Sequence, residues 1–153
     1  MFQKILVANR GEIANRIIRA CHELGIKAVA VYAQEDEYST HRFAADEAYR
    51  IGKDEQPIDA YLDIDEIIRV AKESGSEAIH PGYGFLSENA GLAQACEDNG
   101  IKFIGPRVDH LKMFGDKLTA KKIAEEAGLQ TIPGMHGDVK SVEQVRDFAH
   151  QYG

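Results

Sequence analysis

The chain has 153 residues, 44% hydrophobic and 28% charged, which are the proportions of a globular protein of about one domain. A formal net charge of −7, from 25 acidic and 18 basic residues, argues against general affinity for nucleic acid or anionic membrane surfaces. No apolar run approaches the roughly 18 residues of a membrane-spanning helix, and the N-terminus leads directly into a strand pattern rather than a signal peptide.

The cysteines and histidines indicate no structural metal site. Cys21 and Cys96 are the only cysteines, lack CxxC spacing and lie in helical patterns, so we expect buried thiols in a reducing, cytoplasmic compartment. The six histidines include no HxxxH or HExxH spacing. We therefore predict no metal ligands in this chain.

The first elements of the chain form a βαβ unit. Lys4 to Ala8 is a short apolar run typical of a buried parallel strand. Glu12 to Leu24 follows with its apolar residues on one helical face, and Gly25 stands where a left-handed helix cap is expected. Lys27 to Tyr32 is the second predicted strand.

Four glycines then punctuate the chain in the same way, each between a helical pattern and an apolar pattern, at positions 25, 75, 100 and 128. Between them we predict, in order, a short helix or turn through Ala45, a strand at 48–51, a loop at 52–57, a helix capped by Asp63 and running through Lys72, a strand at 77–79, a helix from Ser87 to about Asp98, a strand at 102–104 and a helical turn at 108–114. Repeated alternation of this kind implies a mostly parallel sheet. The predicted fold is an open α/β sheet flanked by helices.

The character of the sequence changes after Gly115. Lys117 to Ala127 is an amphipathic helix, and Ser141 with Gln144 indicates the start of a further helix that runs to about Tyr152. No strand follows that helix, which suggests the beginning of a second unit. We therefore divide the chain into 1–114 and 115–153.

The loop His80–Asn89 (HPGYGFLSEN) connects a predicted strand to a helix, where open α/β sheets place their binding crevices. Pro and Gly are common in ordinary connections of this type. However, two glycines flanking Tyr83 would let the backbone approach a ligand while the loop presents an aromatic ring. A connecting role and a binding role both stay open.

Common nucleotide motifs are missing. The first βα turn, Asn9-Arg10-Gly11-Glu12, lacks the GxGxxG pattern, and its Arg and Glu would crowd a pyrophosphate, so NAD or FAD binding is disfavoured. No GxxxxGK[ST] loop occurs either.

Charged residues on two helices allow two interpretations each. Arg16, Arg19 and Glu23 lie along one side of the first helix, either as solvated residues with an i, i+4 pair or as part of a subunit interface. Lys117 follows Asp116 at a helix start, where the helix dipole disfavours a cation unless an anion binds there. It could equally be an ordinary exposed lysine.

Three long stretches resemble the N-terminal part of biotin carboxylases: ILVANRGEIANRIIRACHELGIKAVAVY, AIHPGYGFLSENA and FIGPRVDHLKMFGDKLTAKKIAEEAG. The segment QPIDAYL at 56–62 is more similar to the version of this domain in pyruvate carboxylases than to the acetyl-CoA carboxylase subunit. The resemblance implies a Rossmann-like pre-ATP-grasp domain followed by the helical start of an ATP-grasp domain.

The resemblance also implies an activity for the parent enzyme. The family carboxylates biotin with MgATP and bicarbonate through carboxyphosphate, and pyruvate carboxylases then pass the carboxyl group to pyruvate, giving oxaloacetate. The implied cofactors are ATP, Mg²⁺ and biotin. The implied partners are the remainder of the biotin carboxylase domain, the biotin carboxyl carrier domain and further copies of the enzyme in a homo-oligomer.

The family's site residues map onto three parts of this chain. Tyr83 with Gly84 would lie beside biotin, Lys117 would contact ATP, and the dimer interface is implied for Arg16, Arg19 and Glu23. The glycine-rich lid, the magnesium-binding glutamates and the basic residues for bicarbonate and biotin come later in a complete biotin carboxylase. We therefore assign no catalytic residue, and we expect an inactive fragment that binds none of the cofactors tightly.

Other readings of the chain stay open. It could derive from the biotin carboxylase subunit of an acetyl-CoA carboxylase or another acyl-CoA carboxylase. It could also be a stand-alone dimerisation or binding module, or a small Rossmann-like nucleotide binder.

Overall fold

A computed structural model describes residues 1–52, 57–135 and 139–152, and the chain divides into two compact units, Met1–Leu111 and Lys112–Gly153. The strands are β1 (Lys4–Val7), β2 (Lys27–Tyr32), β3 (Glu47–Arg50), β4 (Ala78–His80) and β5 (Lys102–Phe103). The helices are α1 (Gly11–Glu23), α2 (Thr40–Ala44), α3 (Pro57–Ala60), α4 (Ile64–Ser74), α5 (Ala90–Asp98), α6 (Val108–Gly115), α7 (Lys117–Glu126) and α8 (Val142–Tyr152). A 3₁₀ turn covers Gln34–Asp36.

The five strands form one parallel sheet with the order β3-β2-β1-β4-β5. Every neighbouring pair is parallel, with Leu6 opposite Val29 on one side and Ile79 on the other. This confirms the predicted open parallel sheet flanked by helices. The strand order reverses between β1 and β4, so the crevice of the sheet lies beyond the carboxyl ends of those two strands.

Side chains alternate between the two faces of the sheet, as the period of two of a strand requires. Ile5 and Val7 of β1 join a core cluster with α1, whereas Leu6 joins the larger cluster that includes residues of α4 and α5. Both faces are therefore apolar, which explains why the strands read as unbroken hydrophobic runs.

Two predicted helix boundaries are confirmed by their caps. Gly25 and Gly75 adopt positive φ values of 71° and 68° directly after α1 and α4. The carboxylate of Asp63 accepts a hydrogen bond from the Glu66 backbone N–H at 3.0 Å, so α4 begins where the sequence predicts.

The predicted start of α5 at Ser87 is wrong. The helix begins at Ala90, because the side-chain oxygen of Asn89 accepts hydrogen bonds from the backbone N–H groups of Gly91 and Leu92. Neither the 3₁₀ turn nor α3 is predicted by the sequence pattern. Most of the predicted loop at 52–57, including Gln56 of the QPIDAYL segment, lies outside the described residues.

The second unit contains α7 and α8. None of the described side chains of these two helices is buried. Asp116 caps α7 by accepting a hydrogen bond from the Thr119 N–H at 2.7 Å, and Ser141 accepts one from the Gln144 N–H at 3.3 Å. Assignment of 115–153 to the start of an ATP-grasp domain stays a prediction.

Candidate functional site

The loops that follow β1 and β4 meet at the point where the strand order reverses. The backbone N–H of Ala8 donates to the carbonyl of His80 at 2.9 Å, which continues the β1–β4 pairing to the carboxyl edge of the sheet. The chain after β1 therefore lies against the loop His80–Asn89. This crevice is where open parallel sheets bind ligands.

Asn9 joins these two loops through its side-chain amide. The residue is 2% exposed, and its Nδ2 donates to the carbonyl oxygens of Pro81 at 2.7 Å and Tyr83 at 2.9 Å. Its Oδ1 accepts a hydrogen bond from the Arg10 N–H at 2.9 Å. Every polar atom of the Asn9 side chain is thus used, as expected of a buried amide.

Three residues of the loop have positive φ values. Gly82 and Gly84 have φ values of 68° and 73°, and Phe85 has a φ of 44° without being a glycine. A Cβ at Gly82 would stand 2.7 Å from a methyl of Ile13 and 2.8 Å from Nδ2 of Asn9, whereas a Cβ at Gly84 would meet nothing within 4 Å. Close packing requires glycine at 82, and conformation alone favours it at 84.

Phe85 is held by a second contact. Its ring stacks on that of Tyr61, with centroids 5.3 Å apart and planes 26° apart. Tyr61 is buried. A positive φ at a bulky residue is unfavourable by itself, and packing of this kind can hold such a conformation.

Tyr83 lies between these two anchored positions and is 81% exposed. Its carbonyl is bound by Asn9 while its ring points into solvent. The loop thus presents an aromatic ring on a fixed backbone. This is the arrangement that the binding interpretation of the sequence requires, and Gly84 next to it leaves open space.

A cluster of the buried residues Asp36 and Tyr61 with the half-exposed Arg10 adjoins the same crevice. Arg10 donates two hydrogen bonds of 2.6 Å to the carboxylate of Asp36, and the Tyr61 hydroxyl donates a third at 2.7 Å. Burial alone would raise the pKa of Asp36, but the hydrogen bonds from Arg10 and Tyr61 outweigh it and hold that pKa below its usual value. Burial and the bond to Asp36 raise the pKa of Tyr61, so its hydroxyl stays protonated.

Two histidines near the crevice are held neutral. The His41 Nε2–H donates to the Val31 carbonyl at 3.2 Å, while its Nδ1 accepts from the Gly11 N–H at 3.3 Å. Burial lowers the pKa of His41. The Nδ1 of His80 accepts from the Gly82 N–H at 3.0 Å, and burial lowers the pKa of His80 as well.

The outer side of α1 carries the predicted interface residues. Arg19 and Glu23 form an i, i+4 ion pair of 3.6 Å with side chains 76% and 71% exposed, and Arg16 pairs with Glu12. Arg16 and Arg19 also line a polar depression of about 510 Å³ next to Thr40. The structure therefore places all three predicted residues on one accessible helix face.

An apolar groove of about 740 Å³ lies beside α1, and Arg16 borders both this groove and the polar depression. Its lining residues include Ile17 of α1, Ile5 of β1, Ile26 before β2, His80 of β4 and Ile104 after β5. Buried members of the smaller core cluster thus form its floor.

Lys117 is the first residue of α7 in the second unit, and its side chain is exposed. The neighbouring Asp116 uses its carboxylate to cap the helix, and that hydrogen bond to Thr119 lowers the pKa of Asp116. Within the described ranges, no three His, Cys, Asp or Glu side chains converge in a way that could hold a metal ion. No helix in the described parts of the chain is long and apolar enough to cross a bilayer.

Sequence reasoning missed Asn9, Asp36 and Tyr61 as parts of this region. Asn9 could have been found, because it directly follows the first strand at the edge where ligands bind. Asp36 lies in an acidic stretch with no pattern of its own, and its pairing with Arg10 joins residues 26 positions apart.

Comparison with known proteins points to one family. The family model described as the biotin carboxylase N-terminal domain matches residues 1–111. Pyruvate carboxylase of Bacillus subtilis is 58% identical over 151 residues, which are 99% of this chain and 13% of that protein. The 2-oxoglutarate carboxylase small subunit of Hydrogenobacter thermophilus is 50% identical over 153 residues, which are 100% of this chain and 32% of that protein.

Solved structures agree with this relationship. The biotin carboxylase domain dimer of the Hydrogenobacter thermophilus 2-oxoglutarate carboxylase, in complex with MgADP, ADP and bicarbonate, matches with a TM-score of 0.92 at 50% identity. The match covers 100% of this chain and 33% of that one. The chain thus spans at most about a third of the proteins and domains it resembles.

Proposed function

Since this chain belongs to the family of biotin carboxylase N-terminal domains, we propose that it forms the first domain of a pyruvate carboxylase. The parent enzyme carboxylates biotin with ATP and bicarbonate and passes the carboxyl group to pyruvate, giving oxaloacetate. Support comes from 58% identity to the Bacillus subtilis pyruvate carboxylase along 99% of this chain. The family resemblance predicted from the three sequence motifs is thereby confirmed.

The observation that carries the proposal is the exposed ring of Tyr83 on an anchored loop at the switch point of the sheet. We assign Tyr83, with the open space at Gly84, to the biotin side of the carboxylation site. An exposed aromatic ring fits the apolar part of a fused-ring ligand, and its backbone is already fixed before the ligand arrives. The fixed backbone lowers the entropic cost of ordering the loop when the ligand binds.

The test uses a chimera in which this chain replaces the matching 151 residues of the Bacillus subtilis pyruvate carboxylase. Tyr83→Ala in the chimera should raise KM for free biotin by about tenfold, the effect of losing one aromatic contact, while KM for ATP stays unchanged. Tyr38→Ala, which also removes an exposed tyrosine ring, is the control. An unchanged KM for biotin in Tyr83→Ala would contradict the assignment.

Lys117 is proposed to contact ATP. It is exposed at the first position of α7, where backbone N–H groups and the helix dipole also favour phosphate. We assign no magnesium ligand to this chain, because the family resemblance implies that the magnesium-binding glutamates come later in a complete biotin carboxylase. We therefore propose that the metal-dependent part of the nucleotide chemistry is carried by the remainder of the parent enzyme.

The exposed face of Arg16, Arg19 and Glu23 is proposed to contact a second copy of the enzyme. These side chains are held in ion pairs on a helix that is itself fixed to the sheet, so their geometry is prearranged. A structurally similar biotin carboxylase domain is a dimer. Charged residues at such a face set the register and choice of partner.

The apolar groove beside α1 is proposed to receive the remainder of the biotin carboxylase domain. Its lining includes Leu24, which is 62% exposed, beside Ile17 and Ile104, and a complete domain would cover this apolar surface. The carboxyl carrier domain would bring biotin to the Tyr83 side. We place the parent enzyme in the cytoplasm, where the buried free thiols of Cys21 and Cys96 stay reduced.

A second acceptor is consistent with the comparisons. The 2-oxoglutarate carboxylase small subunit is 50% identical over the whole chain, so a parent enzyme that carboxylates 2-oxoglutarate is the alternative. Measuring biotin-dependent carboxylation of pyruvate and of 2-oxoglutarate by the parent enzyme decides between them.

A further inference from the structure

We propose that Asn9 is the positioning residue of Tyr83, holding the biotin-side loop through the backbone carbonyls of Pro81 and Tyr83. The inference rests on the proposed function in assigning Tyr83 to biotin. It adds a residue from the loop after β1 and a defined mechanism by which that residue acts. Asn9 itself touches no ligand in this role.

The geometry makes the amide the direct link between the β1 edge and the ring of Tyr83. Nδ2 of Asn9 has two hydrogens, and both are used, at 2.7 Å on the carbonyl of Pro81 and 2.9 Å on that of Tyr83. The second bond ends on the peptide of Tyr83 itself. Displacement of the amide would therefore move the residue that carries the ring.

The orientation of the amide is fixed from its other end. Oδ1 accepts the Arg10 N–H at 2.9 Å, so the oxygen faces Arg10 and the nitrogen faces the loop. Arg10 is in turn bound by Asp36 through two hydrogen bonds of 2.6 Å. Asn9 is thereby fixed to the rigid edge of the sheet before any ligand binds.

The conformation of the loop depends on this clamp of hydrogen bonds from Asn9. Gly82, Gly84 and Phe85 all have positive φ, so the free loop would populate other conformations. The stack of Phe85 on Tyr61 holds the far side of Tyr83, and Asn9 holds the near side. Gly82 is required for the clamp, because a Cβ there would stand 2.8 Å from Nδ2 of Asn9.

Asn9→Asp in this chain tests the proposal, because it keeps the size of the side chain and turns the donor into an acceptor. A carboxylate oxygen would then face two carbonyl oxygens. We expect backbone order parameters at Tyr83 and Gly84 to fall from about 0.85 to below about 0.6, while those of the five strands stay unchanged. Protonation at low pH restores one donor, so order should return as the pH falls.

Two control variants separate positioning from general destabilisation. Asn99→Asp makes the same change at an exposed amide that donates to the Ala95 carbonyl at 2.8 Å. Val70→Ala lowers global stability at a fully buried site of α4. Neither should change the order of the loop. Equal loop order in Asn9→Asp and the wild type overturns the proposal.

Asn9→Ala removes both donors without adding charge and serves if Asn9→Asp does not fold. Unfolding of both variants also overturns the proposal, since the amide would then hold the whole unit rather than the loop. In the chimera, Asn9→Ala should raise KM for biotin by about tenfold, and the increase should vanish in the Tyr83→Ala background. Additive effects of the two changes contradict action through Tyr83.

The KM for biotin tests the assignment of Tyr83, and the order parameters of the loop test the role of Asn9, so either result can fail without the other. If Tyr83→Ala leaves KM for biotin unchanged while Asn9→Asp still releases the loop, the biotin assignment is wrong and the clamp is right. If Tyr83→Ala raises KM for biotin but Asn9→Asp leaves the loop ordered, the positioning role is wrong and the proposed function stands.

Discussion

Gly82 and Gly84 share a backbone conformation but differ in their neighbours. Substituting each by alanine therefore separates the conformational cost of a side chain from its steric cost. Both have positive φ, with values of 68° and 73°. Only at Gly82 would a Cβ meet neighbours, at 2.7 Å from Ile13 and 2.8 Å from Asn9. The two alanine variants therefore differ only in whether the added Cβ meets close neighbours.

Gly84→Ala should lower the free energy of unfolding by about 1 kcal/mol, from conformation alone. Gly82→Ala should lower it by about 2–4 kcal/mol, because steric overlap adds to that cost. Chemical denaturation of the two variants measures both. Equal losses would contradict the close packing of Gly82 against Asn9.

The lowered pKa values of His41 and His80 should make the stability of the folded chain depend on pH. Burial lowers the pKa of His41 in the folded chain, so the unfolded chain binds a proton first as the pH falls below about 6.5. Stability is therefore fully present above that pH and declines as the pH falls toward the folded pKa. His80 contributes in the same direction, because burial lowers its pKa too.

Denaturation between pH 7.5 and 5 should thus show a falling free energy of unfolding, and His41→Asn should reduce the slope. His150→Asn, at an exposed position of α8, is the matched control for the substitution itself. A slope that His41→Asn does not alter would show that this ring is not held neutral by burial.

At the scale of elements, α1 has an inner face in the core and an outer charged face. Ile17, Ile18 and Cys21 are buried against the sheet, whereas Arg19 and Glu23 are exposed. A surface pair of this kind contributes little to stability, about 0.3–0.5 kcal/mol for an i, i+4 pair. Changes to the outer face should consequently affect association far more than folding.

Arg19→Glu should weaken self-association of the chain by about tenfold or more, because it reverses a charge at the proposed interface. Sedimentation at a series of concentrations measures this. Lys72→Glu makes the same reversal on the exposed side of α4 and should leave association as in the wild type. Monomers at every concentration, in wild type and variant alike, would remove the assembly proposal for this face.

The elements themselves follow from local patterns, whereas their junctions do not. Helix boundaries that depend on a few neighbouring residues are predicted correctly. Examples are the glycines that follow α1 and α4 and the cap at Asp63, where α4 starts. The start of α5 was misplaced by three positions, since Ser87 and Asn89 both resemble caps and only folding selects Asn89. Contacts across the sequence, such as Arg10 with Asp36, could not be predicted from periodicity.

At the scale of the whole molecule, the proposed function makes this chain one part of a longer enzyme, since the chain covers 13% of the Bacillus subtilis relative. It provides a parallel sheet, an anchored loop carrying Tyr83 and an exposed Lys117, but no acidic cluster for a metal among the described residues. Phosphoryl transfer needs positive charge and metal around the moving phosphate. We therefore expect, as the family resemblance implies, that the groups acting on the phosphate lie in the remainder of the parent enzyme.

The most direct test of this account is bicarbonate-dependent ATP cleavage with free biotin, measured for the chain alone and for the chimera with the Bacillus subtilis pyruvate carboxylase. We expect no turnover from the chain alone, because the family resemblance implies that the groups that bind metal and bicarbonate come later in a complete biotin carboxylase. The chimera should retain biotin-dependent turnover within about tenfold of the Bacillus enzyme. Turnover by the chain alone, or a folded chimera without biotin-dependent activity, would contradict the account.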